Sequence, residues 1–149
     1  MNILISYFQK YYQSSLLIKT ILTLTNFYAK DYPTDFFQVL KHITQIALAN
    51  SQYNNDEYVK ELFSLFSTLP CVCSHQFNED SECIQNVLRL CEVYLHTASF
   101  TGKSTCFRFL NRLLQLEDNN NNVFSLINQV SSQFLQVHWC WENDLLYSL

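Results

Sequence analysis

Apolar residues recur along this chain at three- and four-residue steps, the spacing that lines one face of an α-helix. Leu17, Ile21, Leu24 and Tyr28 form such a stripe within residues 3–29, which read as one long helix or two shorter ones broken near Ser14-Ser15. Asp31-Tyr32-Pro33-Thr34 marks a stop and restart, because proline cannot continue a helix but suits its first turn. A helix over 34–49 follows, with Phe36, Leu40, Ile43 and Ala47 inward and Asp35, Gln38, His42 and Gln45 outward. Asn54-Asn55-Asp56-Glu57 has the form of an N-terminal cap, and it opens a helix to about Ser67 with Val59, Leu62, Phe63 and Phe66 inward. Residues 69–79 read as irregular. A helix over 81–96 turns Ile84, Val87, Leu88, Cys91 and Tyr94 to one side and Gln85, Arg89, Glu92 and His96 to the other. Thr97 to Gly102 reads as a loop, and 103–116 as a helix with Phe107, Leu110, Leu113 and Leu114 inward. Beyond the Asn119–Asn122 run, Val123, Ile127, Val130, Phe134, Val137 and Trp141 make the cleanest stripe of all.

Composition sharpens this picture. The 149 residues include a single glycine, where average usage gives roughly ten. Glycine supplies the positive-φ turns of hairpins and phosphate loops, so few of these can be built. The expected fold is all-α, with about six to seven helices. They form either stacked antiparallel helix pairs or a compact irregular bundle. No Pro/Gly-rich linker divides the chain, so residues 1–149 read as one domain. The end of the chain amid apolar residues reads as that of a fragment of something longer.

A repeat is visible in the stripes. Ile21-Leu22-x-Leu24-x-x-Phe27-Tyr28 parallels Val87-Leu88-x-Leu90-x-x-Val93-Tyr94, and Phe36-Phe37-x-Val39-Leu40-x-x-Ile43 parallels Cys106-Phe107-x-Phe109-Leu110-x-x-Leu113. Each unit is a helix pair, which resembles the helical hairpins of HEAT and armadillo-type repeats. That resemblance implies a short solenoid that scaffolds a larger assembly. The Asp and Arg positions typical of HEAT repeats are not evident here.

Charge narrows the partners. Only 15% of residues are charged and the net charge is −4. The nine basic residues are scattered and none follows Arg112, which argues against direct nucleic-acid binding. No apolar run reaches the ~18 residues of a membrane span. The start of the chain lacks the basic segment and cleavage site of a signal peptide. Several of the six cysteines lie on apolar helical faces, where free thiols behave as small hydrophobes. These features point to an intracellular protein, cytoplasmic or nuclear, with its thiols reduced.

Chemical motifs are sparse. Thr97-Ala98-Ser99-Phe100-Thr101-Gly102-Lys103-Ser104 ends like a phosphate-binding loop but has Thr97 where the first glycine belongs, and it follows a helix instead of a strand. Cys71, Cys73, His75 and Cys83 supply four possible zinc ligands, but the C-x-C-x-H spacing differs from the usual C-x-x-C knuckle. His42 and His96 sit on polar helix faces, and no nucleophile–base–orienter arrangement emerges. We therefore expect no enzyme, no cofactor and no bound metal.

Two surfaces suggest a protein partner. Arg108 and Arg112 lie one turn apart on an outer face, with Arg89 on another, and guanidinium groups grip carboxylates or phosphates. The last helix has an uncharged polar face that includes Gln129, Gln133 and Gln136, followed by Trp139, Leu145 and Leu146. The expected function is a non-catalytic interaction module, an adaptor or complex subunit. It would bind another protein or an amphipathic helical peptide through the C-terminal helix or a groove between helices. The alternatives are a compact Bcl-2-like regulator, although no Asn-Trp-Gly-Arg-type motif is present, and a phosphate-loop nucleotide binder using Lys103.

Overall fold

A computed structural model describes residues 2–116. Among these, eight helices and no strand are found: α1 (Asn2–Lys10), α2 (Ser15–Tyr28), α3 (Pro33–Ala49), α4 (Asp56–Phe66), α5 (Thr68–Val72), α6 (Ser74–Glu79), α7 (Ser81–Thr97) and α8 (Phe100–Leu116). The fold is all-α. None of the described helices is long and apolar enough to cross a membrane.

The helices start where side chains can satisfy the orphan backbone donors of a first turn. Ser14 accepts from the Leu17 N–H at the head of α2. Asn55 accepts from Glu57 and Tyr58 at the head of α4. Ser99 accepts from Gly102 at the head of α8. Asp80 accepts from Cys83 at the head of α7. Pro33 opens α3, where its fixed φ and missing N–H cost nothing.

These helices pack in two rows. One row is α1, α3, α7, and the other is α2, α4, α8, each helix lying against the next in its row. In the first row, the Tyr12 and Tyr53 rings meet edge-on after the ends of α1 and α3. Beyond α3, Asn54 donates to the Thr97 carbonyl at the end of α7, and Tyr94 donates to Tyr53 O. In the second row, Lys19 of α2 bridges Glu57 and Glu61 of α4. At the heads of α4 and α8, Ser99 donates to Asp56. The first row thus ends where the second begins, as short connections between antiparallel neighbours require. Such a two-row stack is compatible with a helical-repeat architecture.

The rows are joined by large buried side chains. Phe63 of α4 packs against Tyr94 of α7 and Phe109 of α8, with ring centroids 6.0 and 5.2 Å away. Ile18, Ile21, Leu40, Ile43, Leu62, Val87, Cys91 and Leu113 fill the space between. Close fit also shapes the start of α8. A Cβ on Gly102 would stand 2.7 Å from the Ala98 Cβ and 3.9 Å from Val59, so the one glycine serves approach of backbone rather than a turn.

Several sequence expectations change. Residues 69–79 are not irregular: they form α5 and α6, seated by buried Leu69, Cys73 and Phe77. The Cys73 thiol donates to the Pro33 carbonyl at 3.6 Å, which ties α6 to the head of α3. The 97–102 loop shrinks to two residues, because the Ser99 cap starts α8 at Phe100. The inner face of α2 is rotated by one position, to Ile18, Ile21, Thr25 and Ala29, leaving Tyr28 exposed. Thr25 can be buried because its hydroxyl donates to Ile21 O. On α8 the buried face includes Cys106 and Phe109, with Phe107 half-buried. The proposed repeat is out of phase. It matches α2 with α7 and α3 with α8, but these helices stand in opposite rows. The C-terminal stripe from Val123 to Trp141 lies outside the described residues.

Two outcomes test this packing. Gly102→Ala gains helix propensity of about 1 kcal/mol but drives a Cβ into Ala98, and overpacking of this kind costs about 1–3 kcal/mol. We expect net destabilisation, read as a lower urea midpoint. The second concerns Lys41 on α3, which donates to Asp80 at 2.7 Å and also approaches Glu82. Burial alone would raise the Asp80 pKa, but hydrogen bonds from Lys41 and the Cys83 N–H outweigh it and hold the carboxyl below its ordinary range. A depressed carboxyl pKa contributes stability above the unfolded-state pKa, and that stability is lost as pH falls through the folded value. Lys41→Met should therefore cost about 1 kcal/mol at neutral pH. Its deficit against wild type should shrink on acidification below about pH 4.

Candidate functional site: a basic groove between α4 and α8

The α2–α4 and α4–α8 seams of the second row differ in charge. Between α2 and α4, one lysine faces two carboxylates, Lys19 to Glu57 at 3.2 Å and to Glu61 at 3.8 Å. Between α4 and α8 lies an open groove of about 540 Å3. Its α4 wall holds Lys60, Phe63, Ser64 and Ser67. The α8 wall holds Thr101, Ser104, Thr105, Arg108 and Arg112, with Phe100 and Phe109 also lining it. Among the described residues, no Asp or Glu lines the groove.

Helical geometry puts the α8 residues there. Thr101, Ser104, Thr105, Arg108 and Arg112 recur at three- and four-residue steps and so form one stripe beside α4. Lys60, Ser64 and Ser67 do the same on α4. Lys60, Arg108 and Arg112 are exposed, and none makes an ion pair among the described residues. Arg108 and Arg112 repel each other at this spacing, with nothing nearby to offset it. The floor is apolar, because Phe63 and Phe109 belong to the core.

The hydroxyls divide into two groups. Ser64, Ser67 and Thr105 donate back to the carbonyls of Lys60, Phe63 and Thr101 at 2.9, 2.8 and 3.0 Å. Ser104 is 9% exposed, yet its hydroxyl makes no hydrogen bond among the described residues. The Ser104 oxygen keeps solvent access and lines the groove, where it is an uncommitted donor.

Of the arginines picked out from sequence, the structure brings Arg108 and Arg112 together and leaves Arg89 exposed on α7, outside the groove. Lys60 went unremarked. Its spacing from Ser64 and Ser67 on the outer face of α4 was readable, but the α4–α8 contact that gives it meaning was not. Gln129, Gln133, Gln136, Trp139, Leu145 and Leu146 lie outside the described residues.

The other motifs are placed as follows. Residues 97–104 form the end of α7, a two-residue link and the first turns of α8, with Gly102 at ordinary helical φ. Cys73 and Cys83 are buried, while Cys71 and His75 are exposed. Burial pushes the Cys73 thiol up to about 11 and the Cys83 thiol up to about 12, disfavouring the thiolate that zinc requires. Among the described residues, no three His, Cys, Asp or Glu side chains are gathered to hold a metal ion. His42 bonds the Gln38 carbonyl of its own helix, and His75 approaches Glu79 at 3.7 Å.

Comparison with protein families, with curated proteins and with solved structures finds no match to this chain, so its function has to be read from its own residues.

Proposed function

We propose that this chain is a non-catalytic protein-interaction module, an adaptor or complex subunit. Its α4–α8 groove takes an acidic segment of a partner. We read the two rows as a short stack of helix pairs of the HEAT and armadillo type. The observation that carries the binding role is the groove itself: three cations on facing helices, no carboxylate between them among the described residues, and an aromatic floor. A guanidinium binds a carboxylate or phosphate through parallel hydrogen bonds. The layered rows support a stack over a compact Bcl-2-like bundle built round one central helix. Even α7, the most enclosed helix, keeps Gln85, Arg89 and His96 exposed. The five described cysteines are free thiols, which suits a reducing compartment. The reading assigns no catalytic residue and no cofactor.

The test is binding to an array of Asp/Glu-rich and phosphorylated peptides, repeated at rising salt. Wild type should retain acidic peptides, with affinity falling as salt screens the exposed cations. Arg108→Glu combined with Arg112→Glu should lower affinity at least tenfold. The melting temperature should barely move, since both side chains are exposed and unpaired. Retention of no acidic peptide, or equal retention by the charge-reversed variant, would overturn the reading.

A further inference from the structure

Resting on that reading, we infer that the groove is built for a phosphorylated segment of a partner protein, with the phosphate seated on Ser104 between Lys60 and Arg108. Three observations lead there. First, the charge is large. Lys60, Arg108 and Arg112 line one groove to which no described residue brings an anion, and a single carboxylate leaves two of them uncompensated. A phosphate monoester carries about −1.5 to −2 near neutral pH and offers three acceptor oxygens.

Second, the Ser104 hydroxyl lines the groove and makes no hydrogen bond among the described residues. It lies one turn before Arg108 on the same stripe of α8, with Thr101 one turn further back. Neither Ser104 nor Thr101 donates its side-chain proton within the described structure, unlike Ser64, Ser67 and Thr105, whose protons are already used. An oxygen-rich dianion accepts from both hydroxyls and both kinds of cation at once. A carboxylate brings two acceptor oxygens and one negative charge, against three oxygens and about −1.5 to −2 on a phosphate monoester.

Third, the site can be pre-organised at little cost. The α4–α8 contact rests on Phe63 against Phe109, with ring centroids 5.2 Å apart, so the groove floor is formed by core packing before any ligand arrives. A nucleic-acid strand fits less well. It needs a track of cations along its backbone, and the chain's net charge is −4 with no basic residue after Arg112.

The experiment uses three peptide libraries with degenerate flanks and one fixed central residue: phosphoserine, glutamate or serine. Binding of the full chain is measured by fluorescence anisotropy, with Ser104→Ala and Arg108→Gln as variants. Ser104→Ala introduces a good helix former and should leave the fold intact. We expect wild type to prefer phosphoserine over glutamate by at least tenfold and to bind serine weakly. Ser104→Ala should reduce that preference while sparing the glutamate library. Phosphoserine affinity should drop as pH falls through about 6, where the phosphate gains its second proton. Equal affinity for phosphoserine and glutamate, or a preference unchanged in Ser104→Ala, would overturn phosphate selection and leave the acidic-segment reading standing. Binding of none of the libraries would remove both.

Discussion

The ring of Phe63 is the contact on which both rows depend. It reaches Phe66 on its own helix, Tyr94 across to α7 and Phe109 along to α8, at centroid distances of 5.6, 6.0 and 5.2 Å. Edge-on and tilted aromatic contacts of this kind add about 0.5–1.5 kcal/mol each to the area they bury. One side chain therefore fixes where α4 sits against two neighbours in different rows. The same ring, with Phe109, forms part of the groove floor. The candidate site is thus built on buried core packing, the kind of support that precise placement of side chains requires.

Charge then distinguishes two seams of similar construction. Lys19 meets Glu57 and Glu61 on the α2 side of α4. On the other side, α8 and α4 bring Arg108, Arg112 and Lys60 to one groove. The apolar contact beneath holds the helices together despite the repulsion of these like charges. A groove that is cohesive at its base and repulsive at its rim is a surface in which an anion lowers the energy of the free protein.

The Ser14, Asn55 and Ser99 caps begin the three helices of the second row, and Asp80 caps α7. Ser14, Asn55 and the run before Cys83 could be recognised from residue type. Ser99 was absorbed into an expected loop because Gly102 lies just beyond it, and glycine usually signals a break. In the structure this glycine is a point of close approach inside a helix. The short helices α5 and α6 were missed for a related reason. Each is too brief to show a periodic stripe, and what holds them is long-range: the Cys73 thiol on Pro33 and Gln76 on Thr34.

From residue order alone came the all-α class, most helix positions and the inner faces of α3, α4 and α7. These follow from local periodicity and caps, which depend on residues a turn or so apart. Arg108 and Arg112 could be paired for the same reason. Which helix stands beside which could not be read. Many apolar stripes of similar width can pack against one another, and the choice is made by complementary shape, such as Phe63 against Phe109, and by contacts forty or so residues apart, such as Tyr94 to Tyr53. The order of the two rows, the partnership of Lys60 with the two arginines, and the place of the Ser104 hydroxyl on the groove were all decided there.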